Sequence, residues 1–195
     1  DNQAPDAPVI YATDRADEGE NKNQPVYGYK RSTSLAFGIA HVRLNPHPSW
    51  DELIEASTRQ KRTRDFELRL ASTKENGKFV PLLDTAMMGP KGSEITRAVA
   101  EKVVEQRNQF HDLLRTRLAQ TNQKDVYIYL HGFNNSFEDA VFRSAEIWHF
   151  MGRVGVPVAY TWPAGLGGIR GYAYDRESGE FTVSHLRRFL KLVAD

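Results

Sequence analysis

The amino-acid sequence predicts an α/β sandwich built on a mixed, mostly parallel sheet. From Ser93 onward, helical and strand-like segments alternate, and two parallel strands joined by a helical crossover are the simplest assembly of such segments. The first ninety residues instead contain short irregular strands, including one with alternating apolar and polar residues that is typical of antiparallel pairing. We therefore expect a single domain over residues 9–195, preceded by a flexible arm at residues 1–8.

The composition is that of a globular protein without a strong electrostatic field. Of the 195 residues, 40% are hydrophobic, and 26 Lys and Arg nearly balance 25 Asp and Glu, which gives a net charge of +1. A balanced chain of this kind argues against a dedicated nucleic-acid-binding protein. No apolar run approaches 18 residues, so the sequence predicts no membrane span.

The residue types also restrict the chemistry. Cysteine is absent, which excludes disulfides, cysteine-ligated zinc and thiol catalysis. The histidines show no metal-ligand spacing, and the glycine-rich segment 165–171 lacks the Gly-Lys-Ser/Thr ending of a phosphate-binding loop, so we expect no metal and no cofactor. Two compartments stay open: the cytoplasm and, after removal of a signal segment, the periplasm or cell envelope.

The amino-terminal half is predicted to contain strands and one short helix. Strands are expected at 9–13, 27–31 and 35–44, with a charged loop at 14–24. Ser49 and Glu52 match a capping box for a helix that ends near Ala56. A strand at 66–70, an Asn76-Gly77 turn and a returning strand at 79–83 complete a predicted hairpin.

The carboxyl-terminal half is predicted to be more regular. Helices are expected from Ser93 to about Asn122, from Ser136 to Met151, and from Thr182 or Ser184 onward. Buried strands are expected at 126–130 and 156–162, because both runs are apolar without polar alternation. A flexible glycine-rich loop is expected at 164–174, near the mouth of a pocket.

The most informative stretch joins the 126–130 strand to the next helix. The strand is followed by His131-Gly132, and Ser136 stands at the helix N-cap with Asp139 three residues later. A strand–turn–helix unit of this kind places backbone N–H groups where they can bind an anion or a developing oxyanion. The alternative is a connecting loop with no chemistry. We interpret His131 as a structural brace for the loop rather than as a general base.

Several further residues are suited to line a pocket: Trp162, Tyr172, Tyr174, Asp175 and Arg176. An internal pair between Asp175 and Arg176 is an equally consistent interpretation. No serine lies in the Gly-x-Ser-x-Gly elbow that a serine nucleophile on an α/β fold requires. The sequence therefore contains an oxyanion-type element without a recognisable nucleophile.

A set of motifs resembles an uncharacterised bacterial family of α/β-hydrolases related to esterases and lipases. The motifs are Tyr11-Ala-Thr-Asp14-Arg15, Tyr27-Gly28, Phe37-Gly38, Leu130 to Asp139, Thr161-Trp-Pro163 and Tyr172 to Ser178. The resemblance spans nearly the whole chain and is most specific between residues 126 and 178. It implies that backbone N–H groups just after the His-Gly turn form the oxyanion hole, which points to Gly132 and Phe133, with Asn134 nearby.

The resemblance also implies a departure from the family. There, the helix corresponding to Thr182–Ala194 leads to the nucleophile strand, and the acid and the histidine come later, whereas this sequence stops before all three. We therefore expect the N-terminal part of a serine-type hydrolase that acts on a small acyl or ester substrate. The alternative is a non-catalytic binding or assembly module on the same scaffold. The 126–130 strand would then be an edge strand, open to self-association or to a complementing chain.

Overall fold

The computed structural model describes residues 5–19, 24–59, 65–81 and 94–195. Its strands are β1 (Ala7–Asp17), β2 (Tyr27–Asn45), β3 (Glu67–Lys78), β4 (Val126–Leu130) and β5 (Val156–Thr161). Its helices are α1 (Trp50–Thr58), α2 (Glu94–Ala119), α3 (Phe137–Phe150) and α4 (Gly168–Ala194). Within the described ranges, no helix combines the length and the apolar character that a membrane crossing needs.

The five strands form one mixed sheet in the order β3-β2-β1-β5-β4, which confirms the predicted α/β fold. β1 runs parallel to β5, and β5 runs parallel to β4. The β1–β2 and β2–β3 pairs are antiparallel. Because β1, β5 and β4 are parallel to one another, their carboxyl ends meet at one edge of the sheet.

Helices cover both faces of the sheet. On one face, Val141 and Trp148 of α3 pack with Tyr11 and Ala159 of the central strands. On the other face, Phe110 of α2 and Phe189 of α4 share a cluster that includes several aliphatic residues of β1 and β5. Each fully buried side chain of this size contributes roughly 1.5–3 kcal/mol relative to an exposed one, so the two clusters hold the central strands from both sides.

Both predicted capping boxes are confirmed. At the start of α3, the Ser136 hydroxyl accepts a hydrogen bond from the Asp139 N–H at 3.1 Å, and the Asp139 carboxylate accepts one from the Ser136 N–H at 2.8 Å. At the start of α1, Ser49 and Glu52 make the same reciprocal pair at 3.2 and 2.7 Å. These side chains satisfy N–H groups that a helix start otherwise leaves without partners.

The predicted hairpin around Asn76-Gly77 is wrong, because β3 continues through these residues to Lys78. Phe37 pairs with Gly77 and Gly38 with Glu75, so Asn76 is the extra residue of a β-bulge. A side chain at position 77 would collide with the Phe37 ring, and this close contact explains the glycine better than a turn does. Phe79 and Val80 enter the core without forming a strand, and residues 82–83 lie outside the described residues.

Two further boundaries in the amino-terminal half differ from the prediction. β1 continues to Asp17, so the loop predicted at 14–24 is wrong for its first four residues, while residues 20–23 lie outside the described ranges. The two strands predicted at 27–31 and 35–44 are a single strand, β2. Arg15 pairs with Arg31 across β1 and β2, and its side chain is buried. The charged residues of this segment were therefore not evidence of a loop.

The largest correction concerns the glycine-rich segment. A loop was predicted at 164–174 with a helix from Thr182, but α4 already begins at Gly168. Its buried positions recur at helical spacing and are small or polar in the first half: Gly171, Asp175, Ser178, Thr182, His185, Phe189 and Leu192. A search for apolar periodicity misses the first half of such a helix, because the residues that face the protein there are not hydrophobic.

Candidate functional site

Polar groups converge at the edge where the parallel strands end. Asp14 and Arg15 lie near the end of β1, residues 131–135 follow β4, and residues 162–167 follow β5. In open α/β sheets, ligands bind outside the carboxyl ends of the strands. We call residues 131–135 the oxyanion turn, after the role predicted for them. The side chains that hold this turn in place are described first.

Arg15 is the central support of this edge. Its side chain is only 1% exposed, and its Nε donates to the Thr161 hydroxyl at 2.8 Å. Its two terminal nitrogens donate to the carbonyls of Gly28 at 2.8 Å, Ala164 at 2.9 Å and Asn135 at 2.7 Å. One guanidinium therefore connects β2, the loop after β5 and the oxyanion turn.

The buried position changes the acidity of this guanidinium. Burial lowers the pKa of Arg15 from 12.5 to about 10, while the negative charges of Asp14, Asp175 and Asp139 act in the opposite direction. Arg15 therefore keeps its positive charge at neutral pH. A cation inside the protein must have its donors satisfied, and the carbonyls around it supply this.

His131 is held as a neutral ring with a defined tautomer. Its Nε2 accepts a hydrogen bond from the Trp162 N–H at 2.9 Å, so its Nδ1 carries the proton and donates to the Gly132 carbonyl at 2.7 Å. The Trp162 ring stacks on the imidazole with a 5.0 Å centroid separation, and its indole N–H donates to the His131 carbonyl at 3.0 Å. The one lone pair that could accept a proton is already engaged.

The environment of His131 opposes protonation. Burial lowers its pKa from 6.5 to about 4, and the positive charge of Arg15, whose Nη2 lies 3.4 Å from Nε2, acts in the same direction. The Gly132 carbonyl acts in the opposite direction. These contacts agree with the interpretation of His131 as a brace.

The backbone N–H groups of the oxyanion turn differ from one another. The Asn134 N–H donates to the Asp175 carboxylate at 2.9 Å. The Phe133 N–H has no hydrogen-bond partner among the residues that the structure describes. Phe133 and Gly132 are exposed, and open space surrounds the position that a Cβ of Gly132 would occupy. The Gly132 N–H likewise has no partner among the described residues, so two exposed residues of the turn each carry an unpartnered N–H.

The predicted pocket residues are only partly brought together. Trp162 and Asp175 contact the oxyanion turn, and the Tyr172 ring lies 5.2 Å from the Phe133 ring. Tyr174 instead donates to the Tyr29 carbonyl at 2.9 Å, and Arg176 is exposed with Glu180 3.8 Å away. Asp175 binds backbone N–H groups rather than Arg176, so the contacts support neither an internal Asp175–Arg176 pair nor one shared pocket for all five residues.

A comparison with known protein families covers the residues that follow β4 and β5. Residues 106–195 match the model of a family described as an alpha/beta hydrolase of unknown function (DUF900). This part of the chain is hydrolase-like. The match extends from the second half of α2 to the end of the chain, includes the oxyanion turn and Asp175, and confirms the predicted resemblance there. Comparisons with curated proteins and with solved structures gave no match.

A buried pair that the sequence prediction missed joins the hydrolase-like region, residues 106–195, to β1. His185 of α4 lies 3.0 Å from the Asp14 carboxylate through Nδ1 and 3.1 Å from the Thr33 carbonyl through Nε2. The second Asp14 carboxylate oxygen has no hydrogen-bond partner among the described residues. The pair ties α4 to β1 and β2. Its only signal in the sequence was the helical spacing of polar residues in α4.

A serine–histidine contact occurs at the opposite end of the sheet. Ser57 Oγ lies 2.7 Å from His149 Nε2, but the Arg153 Nε–H donates to His149 Nδ1 at 3.0 Å. His149 must therefore carry its proton on Nε2 and donate to Ser57, whose own hydroxyl donates to the Leu53 carbonyl at 2.7 Å. The hydrogen bond runs from the histidine to the serine, opposite to the direction that activates a serine nucleophile.

A metal is not indicated in the part of the chain that the structure describes. No group of three or more His, Asp or Glu side chains in these residues is arranged to bind one.

Proposed function

We propose that this chain supplies the oxyanion-binding part of a serine-type hydrolytic site for ester, thioester or amide substrates. The observation that carries the proposal is the unpartnered N–H of the exposed residue Phe133, on a turn that is fixed from several sides. The turn follows a parallel strand inside the hydrolase-like region. The proposal deepens the family match, which establishes a hydrolase-like scaffold and no specific reaction.

The chemistry follows from where charge develops in acyl transfer. Attack on a carbonyl places negative charge on its oxygen, and a fixed N–H donor stabilises that charge without having to reorient. Arg15 and His131 both hold the backbone of the oxyanion turn, so the Phe133 N–H is oriented before a substrate arrives. One such donor is worth about 10²–10³ in rate.

The surroundings of the donor suit a small acyl or ester substrate. The Phe133 side chain is 47% exposed and Tyr172 is 61% exposed, and Leu166 lies on the adjacent loop with a similarly exposed side chain. Apolar side chains left exposed beside a polar donor favour a ligand with an apolar group next to its carbonyl. With a net charge of +1, the chain offers no comparable argument for nucleic acid.

The proposal places the nucleophile, the acid and the catalytic histidine in polypeptide other than residues 1–195. No serine of the chain stands in a nucleophile elbow. Ser57 accepts a hydrogen bond from His149 rather than donating one to it, Ser136 caps α3, and Ser178 accepts from Arg31 at 2.9 Å. An oxyanion donor without these partners retains little activity.

The test is made on the polypeptide encoded by the full natural reading frame. Phe133→Pro removes the N–H, and the matched control Phe133→Leu removes the ring but keeps the N–H. We expect hydrolysis of p-nitrophenyl esters to fall about 10²–10³-fold in kcat for the proline variant and by less than about tenfold for the leucine variant. Replacing the residue-133 amide by an ester removes the N–H with little other change, and should match the proline variant. Full activity with the ester linkage would overturn the proposal.

A non-catalytic binding or assembly module is the second candidate function. It is favoured by the Asn134 N–H, which already binds the Asp175 carboxylate and so is not available to a substrate oxygen. The two functions separate in the same assay, because a binding module encoded by the full reading frame has no esterase activity to lose.

A further inference from the structure

A buried carboxylate binds two backbone N–H groups beside the oxyanion turn. Asp175 is 1% exposed and lies on the buried face of α4. Its Oδ2 accepts from the Asn134 N–H at 2.9 Å, and both oxygens lie near the Gly165 N–H, at 3.2 and 3.3 Å. One side chain therefore joins the turn after β4 to the loop after β5.

The backbone at both ends of this bridge has an unusual conformation. Asn134 has φ +53° and Gly165 has φ +103°, values in the left-handed region that most residues avoid. The N–H groups of these two residues, which belong to different loops, both point to the Asp175 carboxylate.

A buried carboxylate is unfavourable unless its charge is compensated. The two N–H groups provide charge-assisted hydrogen bonds, and the cationic Arg15 is close enough for Asp175 to raise the Arg15 pKa. Arg15 in turn binds the Asn135 carbonyl of the same turn at 2.7 Å. The oxyanion turn is thus held by a cation on one carbonyl and by an anion on one N–H.

We infer that Asp175 is the positioning residue of the oxyanion turn. By engaging the Asn134 N–H, it fixes the peptide between residues 133 and 134 and leaves the Gly132 and Phe133 N–H groups, which have no partner among the described residues, as the free donors. The structural part of this inference concerns the chain alone, whereas its catalytic consequence rests on the proposed function. Asp175 does not contact the reacting atoms in this account.

The structural part is tested by hydrogen exchange on the 195-residue chain. Asp175→Leu replaces the acceptors by a larger apolar side chain, and Asp175→Asn keeps the volume and one acceptor oxygen without the charge. We expect the leucine variant to raise amide exchange at Asn134 and Gly165 about tenfold or more relative to Val158 in the central strand β5, with the asparagine variant between it and wild type. Unchanged exchange at Asn134, or equal acceleration at all three amides, would overturn the inference.

The neighbouring carboxylate supplies a matched control. Glu177 lies two residues away on α4, and its exposed side chain pairs with Arg31 at 3.2 Å. Glu177→Gln should leave exchange at Asn134 and Gly165 unchanged. A change as large as that of Asp175→Leu would show that any lost charge on α4 loosens the turn, which contradicts a specific role.

The catalytic part is tested on the polypeptide from the full reading frame. A turn displaced by about 1 Å costs on the order of 10²-fold in rate, so Asp175→Leu should lower kcat about 10–100-fold with little change in KM, and Asp175→Asn should recover most of the loss. If Phe133→Pro abolishes activity but Asp175→Leu does not lower kcat, the positioning role fails and the proposed function stands. If an active enzyme tolerates Phe133→Pro, the proposed function fails, whatever the exchange data show.

Discussion

Arg15 illustrates how single residues hold the candidate site together. It is a cation inside the protein, and three of its hydrogen bonds go to main-chain carbonyls of separate segments. The sequence prediction placed Arg15 in one of the motifs of the family resemblance but expected a loop there. A charged residue next to the end of a strand is most often solvated, and the partners that bury this one lie more than 100 residues away along the chain for two of the three bonds.

Replacing Arg15 should destabilise the fold. Arg15→Met leaves three buried or partly buried carbonyls without their donor, so we expect the free energy of unfolding to fall by about 3 kcal/mol or more. Urea denaturation followed by circular dichroism measures it. Arg69→Met is the control, because Arg69 pairs with Glu67 on the exposed surface and should cost less than about 0.5 kcal/mol. Equal effects of the two changes would contradict the role of Arg15.

His131 should make the stability depend on pH. Since its folded-state pKa of about 4 lies below the ordinary 6.5, the neutral ring's contribution to stability is present above pH 6.5 and is lost as the pH falls towards 4. The loss reaches about 3 kcal/mol across this window. His131→Gln lacks the titration, so its free energy of unfolding should fall less steeply there. An imidazole proton signal in NMR that titrates near pH 6.5 would show that the ring is not held as described.

At the residue scale, the contacts of His131 agree with its interpretation as a brace, while the N–H donors differ in a way that the sequence did not indicate. The sequence identified His131-Gly132-Phe133 because a buried strand, a glycine and an N-cap occur in immediate succession. It could not distinguish the Phe133 N–H from the Asn134 N–H. That difference depends on Asp175, which reaches the turn only because α4 folds back across the edge of the sheet.

Elements were predictable where local side chains define their ends. Ser136 with Asp139, and Ser49 with Glu52, fix helix starts through contacts only three residues apart. The first half of α4 is held instead by contacts distant in sequence. Arg31, for example, donates to the Ser178 hydroxyl and to the Tyr174 carbonyl. The β3 bulge likewise depends on the Phe37 ring of another strand. Such contacts leave no local pattern.

The edge strand β4 should promote association. Its residues are apolar or aromatic, Ile128 is 36% and Leu130 is 47% exposed, and in the described part of the chain it pairs only with β5. A strand of this composition at an edge is a template for another strand. We therefore expect the 195-residue chain to associate with itself, or with a complementing chain when one is present. Its sedimentation coefficient should then depend on concentration in the micromolar range.

Two variants distinguish association through β4 from nonspecific association. Ile128→Lys places a charge on β4, whereas Ala71→Lys places the same charge on β3, the edge strand at the other side of the sheet. The first change should shift the chain towards monomer and the second should have little effect. A stable wild-type monomer at all concentrations would contradict the expectation for β4.

At the scale of the whole molecule, the alternation of helices and strands after Ser93 was enough to predict an α/β sandwich. The mixed sheet followed from the irregular first half, and its strand order places three parallel carboxyl ends together. The function is less predictable, because a scaffold and one donor do not specify a reaction. The fold rests on two hydrophobic cores, whose apolar residues leave a pattern in the sequence. The candidate site rests on polar contacts at the carboxyl ends of the strands, which leave no such pattern.

The 195-residue chain alone should be inactive. Because no serine of the sequence lies in a Gly-x-Ser-x-Gly elbow, and Ser57 and Ser178 accept hydrogen bonds instead of donating to a base, the chain should neither hydrolyse p-nitrophenyl esters nor react with a fluorophosphonate probe. Mass spectrometry after incubation with the probe measures labelling directly. Stoichiometric modification of any serine in residues 1–195 would show that the chain contains its own nucleophile.

The most direct test of the oxyanion turn is a crystal structure of the full-reading-frame polypeptide after reaction with a fluorophosphonate. The phosphonyl oxygen stands in for the oxyanion of the tetrahedral intermediate. We predict that it lies about 2.7–3.1 Å from the Phe133 nitrogen, while the Asn134 N–H still donates to Asp175. A phosphonyl oxygen bound by other donors, with the Phe133 N–H left without a partner, would contradict the account.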